Sequence, residues 1–271
     1  LWENELSKIS VNMMSHDDMV SFYTAMYHAC LSPTLYMDVD GKYKGLDQNI
    51  HHADGFDNYT TFSLWDTYRA LHPLFTVIQQ KRDASMINSM LAHYDQSVHH
   101  MLPVWSHYAN ENWCMIGYHA VPVIADAIVK NIGGFDYDRA LSACLVTAHN
   151  GWYDGLDDYM KLGYVPDERT GASVSVTLEY AYDDWCIARI IDALNSVETR
   201  SIASLQPDYS KSLDEFNVRS KNYLNLWDPS IGFMRPKSSI GVFRSPFDVL
   251  RTHDEGFIEG NAWNYSLFVR Q

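Results

Sequence analysis

Positive charge is in short supply. The 20 lysines and arginines face 34 aspartates and glutamates, for a formal net charge of -14. A field of that sign repels phosphate backbones, so it argues against nucleic acid as a partner and suits a neutral ligand or a divalent cation. Cysteine is also sparse. Cys30, Cys114, Cys144 and Cys186 form no C-x-x-C pair, and each lies in an apolar stretch. They are expected to be buried free thiols, which weighs against a disulfide-built scaffold or a thiolate metal site. No apolar run reaches the length of a membrane-spanning helix. The chain opens on Leu1 with no signal peptide, so its first residues do not report a compartment. There is no G-x-S-x-G elbow, no H-E-x-x-H and no phosphate loop, which removes the hydrolase and nucleotide classes that those motifs mark. No fixed-period solenoid repeat and no low-complexity linker divides the chain.

Apolar residues make up 46% of the sequence and aromatics 14%, including 8 Trp and 18 Tyr. That is enough to bury a sizeable core, and helical periodicity dominates its arrangement. Asp17 and Asp18 open a helix with Val20, Tyr23, Met26, Tyr27 and Cys30 on one side. Phe62, Trp65, Tyr68, Leu71, Phe75 and Ile78 recur at steps of three and four. A cap at Asp83 is expected to precede a helix through Met86, Met90 and Tyr94. Residues 113–129 are apolar on every side, which predicts a buried helix kinked or divided at Pro122. Asp136 or Asp138 starts the next, and 174–194 reads as one long helix. Leu213, Phe216, Tyr223 and Trp227 mark a further helix, stopped by the turn "DPSIG". Asn261 opens the last. The stretch "MDVDGKYKG" predicts a hairpin turning at Asp40-Gly41; it misses the calcium-loop template in its Gly position and lacks the closing Glu. About eight helices result. Short connections such as 79–84 alternate with long acidic and aromatic ones, 35–59 and 151–172. This rhythm predicts helical hairpins in a ring or stack, with functional loops gathered at one end.

Three stretches carry candidate chemistry. In "SLWDTYRALHP", Trp65 and Asp66 at a helix start pair an aromatic platform with a hydroxyl-accepting carboxylate. That suits a sugar, although a core Trp and a first-turn Asp suit the spacing slightly better. In "LEYAYDDWCIARIIDAL", Glu179, Asp183 and Asp184 sit inside an apolar helix. A site and a structural network, with Arg189 or a Tyr as partner, fit equally well. In "HDEGFIEGNAWNY", the carboxylates Asp254, Glu255 and Glu259 crowd one loop, and crowding with partial burial prepares a general acid. Asn261 can cap the helix that follows, and Trp263 and Asn264 offer a face and an amide. A solvated acidic loop feeding a core helix fits the stretch as well as a site does. The adjacent pairs His51-His52 and His99-His100 point apart on regular elements and make poor metal sites.

Taken in order, "SLWDTYRALHPL", "SMLAHYDQS", "CMIGYHAVPVIADA", "LEYAYDDWCIA", "GFMRP" and "EGNAWNY" make the chain resemble the glycoside hydrolase family 92 α-mannosidases from about Phe22 to Gln271. The resemblance implies an all-α chain. Residues 1–271 would be the central part of an (α/α)6 barrel, an incomplete toroid truncated at both ends, in a two-domain enzyme whose N-terminal β-sandwich is absent from this sequence. It implies an exo-acting, inverting, calcium-dependent enzyme that removes terminal mannose, of the α-1,2 type, from N-glycans or mannans in the periplasm or outside the cell. Glu259 would be the general acid. Trp65 and Asp66 would hold the mannose, with Asn261, Trp263 and Asn264 as further substrate contacts. Where family members often have Gln, this chain has the shorter Asn264. The family's base is an Asp in a later motif, G-D-x-G-x-M-S-A-W-Y, which does not occur in these residues, and most calcium ligands also come from later segments. Two rivals remain: a different (α/α)6 glycosidase acting on glucosides or trehalose, and a sugar-binding or structural helical domain without activity.

Overall fold

The computed structural model describes residues 2–12, 15–198, 209–252, 254–269 and 271. A short α1 (Trp2–Leu6) and α2 (His16–Ala29) lead into β1 (Thr34–Leu35), β2 (Lys42–Lys44), β3 (Ile50–His52) and β4 (Tyr59–Thr60). Then come α3 (Leu64–Thr67), α4 (Leu71–Ile78), α5 (Gln80–Gln96), α6 (Ala120–Val129) and α7 (Tyr137–Ala148). They are followed by α8 (Leu156–Leu162), α9 (Ser173–Glu198), α10 (Ser210–Arg219) and a 3-10 turn at Asn222–Leu226. The pair β5 (Trp227–Asp228) and β6 (Phe233–Met234) precedes the last helix, α11 (Ala262–Ser266).

Side-chain contacts fix the helix directions. Tyr68 and Arg69, just before α4, reach Glu179 in the first half of α9. His119, just before α6, reaches Asp183. The starts of α4, α6 and α9 therefore share one end. At that end the Leu102 amide donates to Thr147 Oγ1 near the close of α7, and Arg219 closes α10 by reaching Asp184. The end of α5 meets it too, through His93 and Glu111. The pairs α4/α5, α6/α7 and α9/α10 are thus antiparallel helical hairpins. Only Gln79 separates α4 from α5. The link between α9 and α10 falls at 199–208, outside the described residues. Every long described connection emerges at the shared end, as the alternation of loop lengths predicts.

The core lies between the layers. Ile87, Met90, Leu91, Tyr118, Val121, Ile124, Leu141, Cys144, Tyr180 and Ile187 are all fully enclosed within it. On another side of α6 and α9, Pro122, Ala125, Val129, Tyr182 and Trp185 line a groove of about 440 Å³.

Several expectations need correction. The periodic stretch from Phe62 is two helices, because the chain breaks between α3 and α4 at 68–70. Asp83 is not a cap: α5 begins at Gln80, and the Asp83 carboxylate is buried 3.3 Å from His72 Nδ1. Only 120–129 of the stretch 113–129 is helical. Before it, Trp113 and Met115 take positive φ (57° and 64°), so the chain threads the core in an irregular path. Pro122 falls in the first turn of α6, where its missing N–H is harmless. The 213–227 stretch ends as helix at Arg219 and continues as the 3-10 turn and β5. The turn at Asp40-Gly41 forms, with the Asp38 amide donating to Lys42 O at 2.8 Å and the Gly41 amide to Asp38 O at 2.9 Å, but the strand after it takes its ladder partner from β3, His52 opposite Lys42. Cys144 and Cys186 are buried free thiols, but Cys30 is half-buried and Cys114 exposed.

Candidate active site

The loop containing Glu259 is built on the start of α9. Gly256 O accepts from the Val174 and Ser175 amides (2.9 and 3.1 Å), and the Ile258 amide donates to Ser175 Oγ at 3.1 Å. The loop therefore satisfies helix donors that would otherwise be unpaired. Gly256 has φ +88°, and a Cβ there would come within 2.5 Å of Pro236 Cγ, so only glycine fits. Glu259 is exposed and holds φ +46°, a left-handed conformation that a non-glycine residue adopts only when its surroundings impose it. Asn261 caps α11 by accepting from the Trp263 and Asn264 amides (3.0 and 3.4 Å), and Asn264 Oδ1 accepts from the Asn261 amide at 3.0 Å. This reciprocal capping box commits both amide oxygens to the backbone. Trp263 is more exposed and packs its edge on Phe233.

The expected crowding of carboxylates is relieved by arginine. Glu255 is buried 3.5 Å from Arg244 and 3.4 Å from Arg251, while Asp254 and Glu259 face solvent.

Trp65 and Asp66 occupy the first turn of α3, after Ser63. Asp66 is exposed, and its carboxylate stands free of the core. Trp65 is half-buried, and its Nε1 donates to Glu179 Oε1 at 3.2 Å. The Arg69 guanidinium lies over both the Trp65 ring (5.0 Å) and the ring of Phe268 (5.6 Å), just beyond α11. Burial pushes the Tyr265 phenol up to about 12. It bonds to Ser175, and the charges of Glu179, Arg69 and Glu259 all act on it. The "SLWD" and "EGNAWNY" stretches, about 200 residues apart, thus meet at the start of α9.

Beneath them lies a ladder of carboxylates. Glu179, Asp183 and Asp184 are fully enclosed, and the cations that answer them come from other elements. His119 bridges the first two, with Nδ1 2.7 Å from Asp183 Oδ1 and Nε2 2.8 Å from Glu179 Oε2, the latter a charge contact off the hydrogen-bonding line. Burial works against the imidazolium, but Asp183 and then Glu179 outweigh it and hold His119 at about 9. Burial raises Asp183 to about 6, with His119 opposing. Asp184 accepts from Tyr118 (2.6 Å), Tyr159 (2.8 Å) and Arg219 Nε (2.9 Å). The sequence named Arg189 or a Tyr as partner; Arg189 instead faces Asn217 and Asp192.

This chain matches the glycosyl hydrolase family 92 catalytic domain over residues 1–271. It belongs to family 92. A family 92 alpha-mannosidase of Bacteroides thetaiotaomicron is 47% identical, with a TM-score of 0.90 over 99% of this chain and 34% of that one. The same relative has been solved in complex with mannoimidazole. A second B. thetaiotaomicron structure, described as a family 92 inverting mannosidase, is 30% identical with a TM-score of 0.87, over 99% of this chain and 35% of that one. An uncharacterized secreted glycosidase of Arthroderma benhamiae is 23% identical over 99% of this chain and 33% of its own length. The chain thus spans about a third of the length of each relative. Its helices have the (α/α)6 barrel arrangement of the family 92 catalytic domain, and the described residues supply the three hairpins above.

The described residues offer calcium no shell. Among the described residues no three His, Cys, Asp or Glu side chains converge on a point that could hold a metal ion. The buried carboxylates are already matched by His119, Arg69 and Arg219, so they offer no free ligand to a metal ion. Among the described residues no helix is long and apolar enough to cross a membrane. The residues that sequence reasoning missed are Tyr68, Arg69 and His119. All three lie inside stretches that carry the resemblance, but no spacing ties them to α9.

Proposed function

We propose that this chain carries the acid side of an exo-α-mannosidase site that removes terminal α-linked mannose from glycans with inversion. Family membership across all 271 residues carries the reading, and the meeting of the Glu259 loop with Trp65 at the start of α9 supports it. Protonated Glu259 gives its proton to the glycosidic oxygen as the bond to the anomeric carbon breaks. A second carboxylate, from outside these residues, takes a proton from water, and that water attacks the opposite face of the sugar. Inverting enzymes keep the two carboxyl groups about 6.5–9.5 Å apart to admit this water. An exposed Glu259 on a rigid left-handed turn suits an acid that must be reprotonated from solvent each cycle. Asp66 accepts from mannose hydroxyls and Trp65 packs on the ring. Trp263 offers an outer aromatic face, while Asn261 and Asn264 hold the acid loop in place.

The preferred linkage is α-1,2, in N-glycan or mannan chains, and the enzyme is exported; the secreted relative supports export. Residues 1–271 form the central part of the barrel in a longer protein that also carries a β-sandwich and supplies the calcium ligands. In that enzyme Glu259→Gln lowers kcat on an α-1,2-mannobiose by about 10²–10⁴-fold, and far less on a dinitrophenyl mannoside whose leaving group needs no proton. Normal turnover of the mannobiose by the variant would sink the acid assignment. Chelation with EGTA is expected to abolish activity, and added calcium to restore it. Full activity in the chelator would remove the metal from the mechanism.

A further inference from the structure

Glu179 takes no part in the proton transfers above, yet it is enclosed at the site end of α9. Its Oε1 accepts from Trp65 Nε1 at 3.2 Å and from Arg69 Nη2 at 3.3 Å, while its Oε2 accepts from the Tyr68 hydroxyl at 3.4 Å. His119 stands behind it, 2.8 Å from Oε2, stacked on the Tyr68 ring and anchored to Asp183. A buried ion pair is weak evidence for stability, since apolar residues of similar volume often do as well or better. The arrangement is more informative about direction. One carboxylate oxygen holds the edge of the indole. The same oxygen holds the guanidinium that lies 5.0 Å over its face, and Arg69 Nε also donates to the Trp65 carbonyl at 3.0 Å. Edge and one face are therefore both fixed, on a ring that is half-buried against the core.

We infer that Glu179 is a positioning residue for the sugar platform: it locks Trp65 and Arg69 in the orientation in which the indole meets the mannose ring, with His119 and Asp183 as counter-charge behind it. The inference rests on the reading of Trp65 as a substrate contact. Because Nε1 is committed to Glu179, Trp65 contributes its face and not its N–H. A positioning role of this kind acts through a rigid neighbouring shell.

The test uses the enzyme that contains this chain, with the Trp65 indole ¹H–¹⁵N resonance assigned by its loss in Trp65→Phe. In the wild type this N–H is expected to exchange with solvent at least about tenfold more slowly than that of Trp263, as a bonded, shielded donor should. Glu179→Gln is expected to move the resonance and raise KM for an aryl α-mannoside about tenfold with kcat changed less than about threefold, the pattern of lost uniform binding. A folded Glu179→Gln enzyme with unchanged KM and only a lower melting temperature would show a purely structural residue and overturn the inference. If that variant does not fold, wild-type exchange decides: a Trp65 N–H as labile as that of Trp263 overturns it. An unchanged KM in Trp65→Phe would instead overturn the platform reading itself, while the exchange rates still report whether Glu179 holds the indole.

Discussion

His119 shows how one residue couples site and stability. It is charged inside the core because two carboxylates outweigh the burial that opposes it, and its pKa of about 9 stands above the ordinary 6.5. The native state therefore holds this proton more tightly than the unfolded chain does. The stabilisation is complete below about pH 6.5 and is lost as pH rises through about 9. The melting temperature of the enzyme, followed from pH 7 to 10, is expected to fall, and His119→Gln is expected to flatten that part of the profile while lowering its neutral plateau. A variant profile parallel to the wild type would place the proton elsewhere. Nothing in the sequence pointed to this histidine. Residues 119, 179 and 183 are linked by no local spacing, and only the docking of α6 on α9 brings them together.

At the scale of elements, the long α9 and the cap of α7 at Asp136 were legible, because a period of three to four residues and an oxygen-bearing cap are local signals. The stretch 113–119 was not. Its apolar residues are buried by threading between packed elements, and a continuous apolar run does not distinguish that path from a buried helix. The partners of Asp184 were half legible: a Tyr was expected, and Tyr118 and Tyr159 both serve, but the cation is Arg219 from α10. Arg219 also donates to Ala148 O at 2.9 Å, so it pins α10 to both α9 and α7. Arg219→Met would leave Asp184 enclosed without its cation. Loss of one partner of a buried pair costs about 3–5 kcal/mol, which should appear as a lowered urea midpoint. A midpoint unchanged within error would mean that Tyr118 and Tyr159 suffice.

On the scale of the whole molecule, the alternation of short and long connections foretold the gathering of loops at one end. The order of the quoted motifs foretold the family. The candidate site was legible as a set of stretches and not as a set of contacts. Glu259, Trp65 and Asp66 were named as candidates and Asn261 as the cap of the last helix, whereas the reciprocal bond from Asn264 emerged only from the fold. Since the proposed base lies outside these residues, a polypeptide of residues 1–271 alone should release no mannose from an α-mannobiose, with or without calcium. Measurable release by the purified polypeptide would require a base within it.

The carboxylate ladder on α9 has a consequence for the order in which this body can assemble. Its counter-charges arrive from the approach to α4, the approach to α6 and the close of α10. A partly formed intermediate that dehydrated α9 against one of these neighbours alone would strand at least one ion in a dry interior. Such intermediates are raised in free energy, and water leaves the ladder only when all three neighbours have come in. The polar rungs thus make the hairpins fold and unfold together, and the segment that carries the Glu259 loop inherits that cooperativity.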